Sequence, residues 1–443
     1  MCGDVRRRTG VAVKKRCGIP DGTELNSTRS KDFQAIWWTE SLELQFVSAS
    51  VVLCTNQAIA LYPAGMPMAL PNPLHSLHVQ AEAEFQPYAE VEIVSTFGEP
   101  QAEYAALHKG CGMIDLPQRG ILELTGKDRL AFLNNLLTNQ TWSKETKTGM
   151  TAGLGVYAFY LNAKGRIVTD LNVLETGDRT LLEMDGRLVA QLRGMLEKYL
   201  FAEQVKMNDC TGTLHQIGLH GAGAREVLSA AMDSALPVLD PLSSASIKLF
   251  GVEAIVYRDD PTGQAGYVLI LPTDSARAVW MNLLTQFGTP ADLGKRALRP
   301  VGWAAFNAAR IEGGRPIFGI DFDETILPAE TGQFNRAVSV TKGCYLGQEI
   351  VARMYARQQV AKQLVGIRME SDALPIAGTK ILDDASNEIG GVTSSTLSPI
   401  LSNVAICLGY LKRPFFAVKT VVNIPAEGRV RKGTVVDLPF VNL

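Results

Sequence analysis

The chain is poor in the residues that build metal centres and disulfide frameworks. Its seven cysteines stand at positions 2, 17, 54, 111, 210, 344 and 407, an odd number with no C-x-x-C pair. That pattern suits a reducing compartment and gives no self-contained zinc or iron–sulfur site, which needs clustered ligands. The five histidines are scattered and form no H-E-x-x-H, so no permanently bound metal is expected. There is no large charge of one sign: a net charge of −2 demands neither nucleic acid nor an anionic membrane as partner. A long unbroken apolar run is missing too. Residues 44–61 are apolar but interrupted by Gln45, Ser48, Ser50, Thr55, Asn56 and Gln57, short of the ~20 apolar residues that span a bilayer.

What is present is an ordinary globular composition, 46% hydrophobic and 20% charged, over 443 residues. A chain this long holds several domains at about 100–200 residues each. Residues 1–90 differ from the rest, with basic runs near the start and a proline-rich stretch at 63–73. They read as an extension, disordered or translated from a start assigned upstream of Met66 or Met68; a targeting peptide is the alternative, opposed by Asp4, Asp21 and Glu24. From about residue 91 the pattern becomes regular. Gly120–Gly126 alternates as a strand, Lys127–Asn139 has helical spacing of leucines, and Gly155–Glu175 reads as two strands joined at Asn162–Gly165. Thr180–Met184 is a further strand and Gly186–Phe201 an amphipathic helix.

A second unit starts near 211. "TLHQIGLHGAGAREVLSAAM" reads as strand, glycine turn and helix, and its glycines fail the dinucleotide fingerprint because Glu226 stands at the third. Strands at 247–258 and 266–272 and a helix capped by Asp274 complete a ferredoxin-like α+β pattern. From about 364 short strands at turn-punctuated spacing predict a small barrel.

The chemistry-bearing residues concentrate between 309 and 357. Arg310, Glu312, Arg315, Asp321, Asp323, Glu324 and Glu330 alternate with apolar residues, as in a wall that meets a heterocycle edge bearing N–H donors, or as a surface ion-pair network. Then comes "TKGCYLGQEIVAR", Thr341–Arg353. The spacing of Ile350, Val351 and Met354 predicts a helix from about Gly347. Cys344 would precede its N-terminus, where Lys342 and the helix dipole favour a thiolate; many single cysteines are nonetheless small buried hydrophobes. No histidine lies within a hundred residues of Cys344, which disfavours a Cys–His hydrolase.

"KGCYLGQE" resembles the K-G-C-Y-x-G-Q-E signature of the YgfZ group of folate-binding iron–sulfur cluster assembly proteins, relatives of the glycine-cleavage T-protein (aminomethyltransferase). "GMIDLPQRGILELTGKDRLAFLNNLLTN", "RIEGGRPIFGIDFDETILPAE" and "GGVTSSTLSPILSNVAICLGYLK" resemble blocks of the wider superfamily, so the likeness covers residues 91 to 443. It implies a GcvT-like α+β fold: a three-domain ring with a central channel for non-covalent tetrahydrofolate. Residues 91–210 plus 306–363 would be the folate-binding domain, 211–305 a ferredoxin-like domain and 364–443 a C-terminal β-barrel. The resemblance implies Cys344, Lys342 and Asp170 as the chemical residues. Glu312 would meet the pterin with Arg310 nearby, and Tyr345, Gln348, Glu349 and Arg353 would be further folate contacts. Asp170 is the second acid of the T-protein motif G-G-x-x-D-D, whose first acid is replaced by Thr169 and second glycine by Arg166. The function implied is that of an accessory factor for iron–sulfur assembly or repair, its partners being folate and client or assembly proteins; the alternative is a folate-dependent aminomethyltransferase. A monomer in bacterial cytosol or mitochondrial matrix is expected, with no nucleic-acid or membrane partner.

Overall fold

The structure, a computed structural model, describes residues 72–288, 297–357 and 359–442. Residues 1–71, most of the expected extension, lie outside the described residues. The remainder of that extension is corrected: residues 72–90 belong to the folded body. The helix His75–Gln80 is followed by the hairpin Glu84–Tyr88 and Val91–Thr96. Leu74 and Leu77 are buried in the core of the neighbouring sheet. His78 Nε2 lies 2.8 Å from Asp115 Oδ2, and Asp115 also meets His215 Nε2 at 2.7 Å. Proline at 71 and 73 disguises the start of this helix, because the residue before a proline is biased away from helical backbone.

Two antiparallel-dominated sheets and a barrel form the body. The first sheet orders Lys206–Asp209, Arg119–Thr125, Arg179–Asp185, Ile167–Glu175 and Gly155–Leu161, all antiparallel. Its outer face is sealed by Val189–Glu197 and Arg129–Asn134 over Leu122, Leu124, Leu171, Leu182 and Met184. The second sheet orders Ser244–Leu249, Val252–Arg258, Gly266–Pro272, Leu214–His220, Cys111–Asp115 and Leu298–Pro300, with only the last pair parallel. Cys111–Asp115, expected with the first domain, is thus a strand of the second sheet. It pairs with Leu214–His220 in register Ile217↔Asp115. Residues 247–258, read as one strand, are two strands of a hairpin. The chain reverses at Phe250 and Gly251, both at positive φ, the backbone of a tight two-residue hairpin turn. The helix Thr273–Phe287 begins at Thr273 with no side-chain cap; Asp274 sits in its first turn instead, where a negative charge still favours the helix dipole.

Leu298–Pro300 leads into Trp303–Glu312, a helix with every residue buried. The tail closes on itself as a six-stranded barrel, with Lys362–Met369 paired to both Val404–Lys412 and Arg429–Val436. Its interior holds Ile367, Ile381, Leu411, Val422 and Ile424. The α+β fold with a C-terminal barrel is therefore as the sequence predicts. Among the described residues no helix is long and apolar enough to cross a membrane, and none group to hold a metal ion.

Candidate functional site

A cavity of about 130 Å3 opens between the two sheets. Strand alternation places its polar wall: Asp170 and Asn172 are two apart on one strand and so share a face, and both line the cavity. Glu183 lies opposite Asn172 in register and lines it too, with Arg119 from the strand beyond. His220, Tyr257 and Val268 come from the second sheet, and Trp303 and Phe306 from the buried helix. Arg315 and Arg336 come from the segments that follow it.

The charges are paired but not all spent. Arg119 Nε and Nη2 grip Glu183 at 2.5 and 2.8 Å, and Asn172 Nδ2 adds a bond of 3.0 Å. Tyr157 donates its hydroxyl to Asp170 Oδ2 at 2.8 Å. Burial lifts the Asp170 carboxyl above the usual carboxylate range, Arg119 and Tyr157 only partly opposing it. The Tyr157 phenol is pushed far up by burial and by Asp170, so it stays a donor. Arg336 lies 4.0 Å over the Tyr157 ring. Arg336 Nη2 and Arg315 Nη1 each approach Asp259 Oδ1 at 3.3 Å. Burial pulls His220 down to about 4, leaving it neutral. Gln118 Oε1 is buried with no hydrogen-bond partner although Gln118 lines the cavity. An orphaned acceptor beside two carboxylates fits a ligand edge that carries N–H donors. Two guanidiniums sharing one carboxylate fit an anionic tail, and Tyr88, Tyr257, Trp303 and Phe306 give flat apolar walls to a ring. The residues present thus fit a folate.

Of the residues expected at the site, only Asp170 lines this cavity. Glu312 and Arg310 are placed elsewhere, fully buried. Tyr104 OH donates to both Glu312 carboxylate oxygens at 2.7 and 2.8 Å, and Ser398 Oγ donates to the same carboxylate. Arg310 pairs with Asp321 and donates to Asn307 Oδ1 at 2.9 Å and to Ser394 Oγ at 2.7 Å. Both residues tie the helix to the barrel strand Glu388–Ser398, and their polar atoms are paired within the protein, away from this cavity lining.

The signature segment lies outside the cavity lining as well. Its helix is Gln348–Arg357, as the spacing predicts. Cys344 is exposed, whereas Lys342 is buried and donates Nζ to the carbonyl of Asn134, the last residue of Arg129–Asn134. Its ammonium caps that helix end and lies 4.7 Å from the Tyr345 ring. Burial, helped by Lys144, brings the Lys342 amine down to about 7. Tyr345 is buried and its backbone N–H donates to Gln348 Oε1 at 3.3 Å. Glu349 and Arg353 are exposed. Gly347 has φ +80, and a methyl group there would stand 2.7 Å from the Asn162 carbonyl oxygen and 3.1 Å from Gly165 Cα. The glycine is needed where this loop meets the hairpin turn.

Sequence reasoning missed Arg119, Tyr157, Asn172, Glu183 and Arg336. Pairing the two strands expected at 155–175 with the one at 180–184 would have aligned Asn172 with Glu183; Arg336 carries no local signal.

Two sheets enclosing a polar cavity, followed by a closed barrel, define the architecture, and comparison with known proteins gives it a family. Residues 74–342 match the GCVT N-terminal domain and residues 362–442 the glycine cleavage T-protein C-terminal barrel domain. The chain belongs to the glycine-cleavage T-protein (GcvT) family. It is 27% identical over 371 residues to an aminomethyltransferase of Chloroherpeton thalassium, covering 84% of this chain and 98% of that protein. It is 29% identical over 351 residues to one of Chlorobaculum parvum, covering 77% and 90%. The crystal structure of glycine cleavage system aminomethyltransferase T from Bartonella henselae superposes with a TM-score of 0.74 at 23% identity, covering 85% and 99%; this likeness concerns the fold. Cys344 and the helix after it lie between the two matched segments.

Proposed function

We propose that the cavity binds a reduced folate and that the chain carries out one-carbon transfer of the aminomethyltransferase type. The observation that carries this reading is Asp170, a carboxylate lifted by burial and oriented by Tyr157, in a cavity with an orphaned acceptor and paired guanidiniums. In this reading the folate supplies the nitrogen that accepts the one-carbon unit. Asp170 would exchange a proton with that nitrogen, from a carboxyl that burial raises and Tyr157 orients. Glu183 and Gln118 orient the heterocycle's N–H edge, Arg315 and Arg336 hold the anionic tail, and the aromatic walls exclude water. Replacement of the first acid by Thr169 does not empty the cavity of its carboxylate. Thr169 is buried and its Oγ1 donates to the Asp170 backbone oxygen at 2.9 Å. The relatives named aminomethyltransferase point the same way. The test is incubation of the purified chain with tetrahydrofolate and an aminomethyl-loaded carrier protein. Formation of the one-carbon folate with release of ammonia is expected in wild type and not in Asp170→Asn; no product in wild type sinks the transfer.

A second reading, the iron–sulfur accessory factor, is favoured by the exposed thiol of Cys344 on a loop flanked by Lys342 and Lys144. It predicts that Cys344→Ala fails to restore iron–sulfur enzyme activity in a strain lacking this protein. Full rescue by that variant excludes it.

A further inference from the structure

The segment from Arg336 to Gly347 runs from the cavity to the exposed cysteine and is fastened along its way to the strand that carries Tyr157. At its inner end Arg336 stacks on Tyr157, which donates to Asp170. Asn139 Nδ2 then donates both to the Tyr157 carbonyl at 2.9 Å and to the Arg336 carbonyl at 3.0 Å. Thr138 repeats the bridge one step on. Its N–H donates to the Phe159 carbonyl at 3.0 Å, its hydroxyl donates to the Ala337 carbonyl at 2.7 Å, and its carbonyl accepts from the Ser339 N–H at 3.0 Å. Lys342 is pinned to Asn134 at the start of the same 134–139 turn. Tyr345 packs in one apolar cluster with Tyr157, Phe159, Leu161 and Ile167. At the outer end Gly347 abuts Asn162 and Gly165, and a methyl group on Gly165 would stand 2.9 Å from Ile350 Cβ.

These contacts leave little slack, and close-packed contacts of this kind transmit displacement. Arg336 is the residue of this segment that lines the cavity. Here it shares Asp259 with Arg315, and an anionic ligand group entering the cavity competes for the same guanidinium.

The geometry points to a coupling device: filling the cavity re-pairs Arg336, and the 336–347 segment carries that change to the Cys344 thiol. This rests on the folate-site reading above and goes beyond it, because it makes the thiol a reporter of whether folate is bound. Arg336 drawn to the ligand displaces the fastened segment as a unit and draws the thiol out of solvent, so the thiol reacts more slowly when the cavity is full. Coupling runs both ways, so a group attached to Cys344 that the ligand-bound arrangement disfavours weakens ligand binding in turn.

The full chain is titrated with 5-formyltetrahydrofolate by calorimetry. Alkylation of Cys344 by iodoacetamide is then timed with and without saturating ligand, read by mass spectrometry on the peptide containing Cys344. The expected result is a slowing within the usual allosteric range of roughly 5–150-fold. Protein alkylated at Cys344 should bind the ligand more weakly than unmodified protein, with no such loss in Cys344→Ala treated alike. In Gly347→Ala, ligand still binds while the slowing disappears. The wild-type and reciprocal measurements stand even where that variant does not fold. If the ligand binds and the alkylation rate is unchanged, the coupling is wrong and the folate site stands. If the ligand does not bind, the folate reading falls and the coupling falls with it.

Discussion

Replacing Glu312 with alanine separates a structural from a ligand-binding role for the residue that family likeness places at the pterin. The carboxylate has no solvent exposure. It accepts from Tyr104 OH on both oxygens and from Ser398 Oγ, and His108 Nε2 lies 3.2 Å from Oε2. Burial and Glu312 together push the Tyr104 phenol well above its ordinary range, so it remains a donor. Alanine removes the acceptor common to these groups and strands two hydroxyls inside the protein. Each buried polar group left unpaired costs about 1–3 kcal/mol. With the void added, the loss comes to about 3–5 kcal/mol, typical of breaking a buried charged cluster. At about 2–4 °C per kcal/mol for a domain of some 200 residues, the melting temperature falls by roughly 6–20 °C. Circular-dichroism melts of wild type and Glu312→Ala give that shift. Calorimetric titration with a reduced folate, well below the melt, is expected to show affinity within about threefold of wild type. The reasoning is refuted if the melting temperature holds within about 1 °C while folate affinity falls more than about tenfold, because Glu312 would then be meeting ligand.

Asp170→Asn is expected to lower kcat by about 10²–10⁴, the usual range for a general acid–base group, with a smaller change in folate affinity. In wild type the rate rises with pH through the raised Asp170 pKa, so this limb lies above the usual carboxylate range and vanishes in the variant; a pH profile identical in the two proteins contradicts the assignment. Lys342→Met tests the buried amine. The unfolded chain keeps its proton to about 10.5 and the folded chain only to about 7. Between those values the unfolded state binds more protons, and the wild-type stability contributed by this group rises with pH. The stability difference between wild type and Lys342→Met, from urea unfolding at pH 7 and 9, should therefore move in favour of wild type as pH rises; no movement means that the amine is not buried in solution. Arg310→Met leaves Asp321 unpaired inside the protein and is expected to cost about 3–5 kcal/mol, read as a lower urea midpoint; an unchanged midpoint would show that the pair is not buried.

Local pattern carried much of the fold. The alternation in 120–126 and 155–175, the leucine spacing after Lys127 and the short strands after 364 all appear where their periodicities predict, because each buries a single face. Pattern failed where long-range pairing decides. Cys111–Asp115 reads as part of the first domain, yet its partner is Leu214–His220, a hundred residues away. Residues 72–80 read as part of the extension because two prolines precede a short helix whose worth lies in Leu74, Leu77 and His78 meeting the second sheet. Within 309–357 the charge density was legible but its purpose was not. A carboxylate that accepts hydrogen bonds from a ligand and one that accepts them from Tyr104 and Ser398 have the same sequence.

The sequence by itself determined most of the elements, the barrel tail, the helix start after Gly347 and the candidacy of Cys344, since these depend on residue type and spacing along the chain; the candidacy of Asp170 came from family resemblance. Only the tertiary structure decided which charges face a cavity and which are consumed within the core. It brought Arg119, Glu183 and Arg336 from three separate segments to the strand that carries Asp170 and Asn172, and it took Glu312 and Arg310 away to the barrel. It also set Cys344 outside the cavity, on a loop joined to the Asp170 strand pair at Gly347 and Gly165. Burial and pairing arise from contacts between distant residues, and these have no expression in local periodicity.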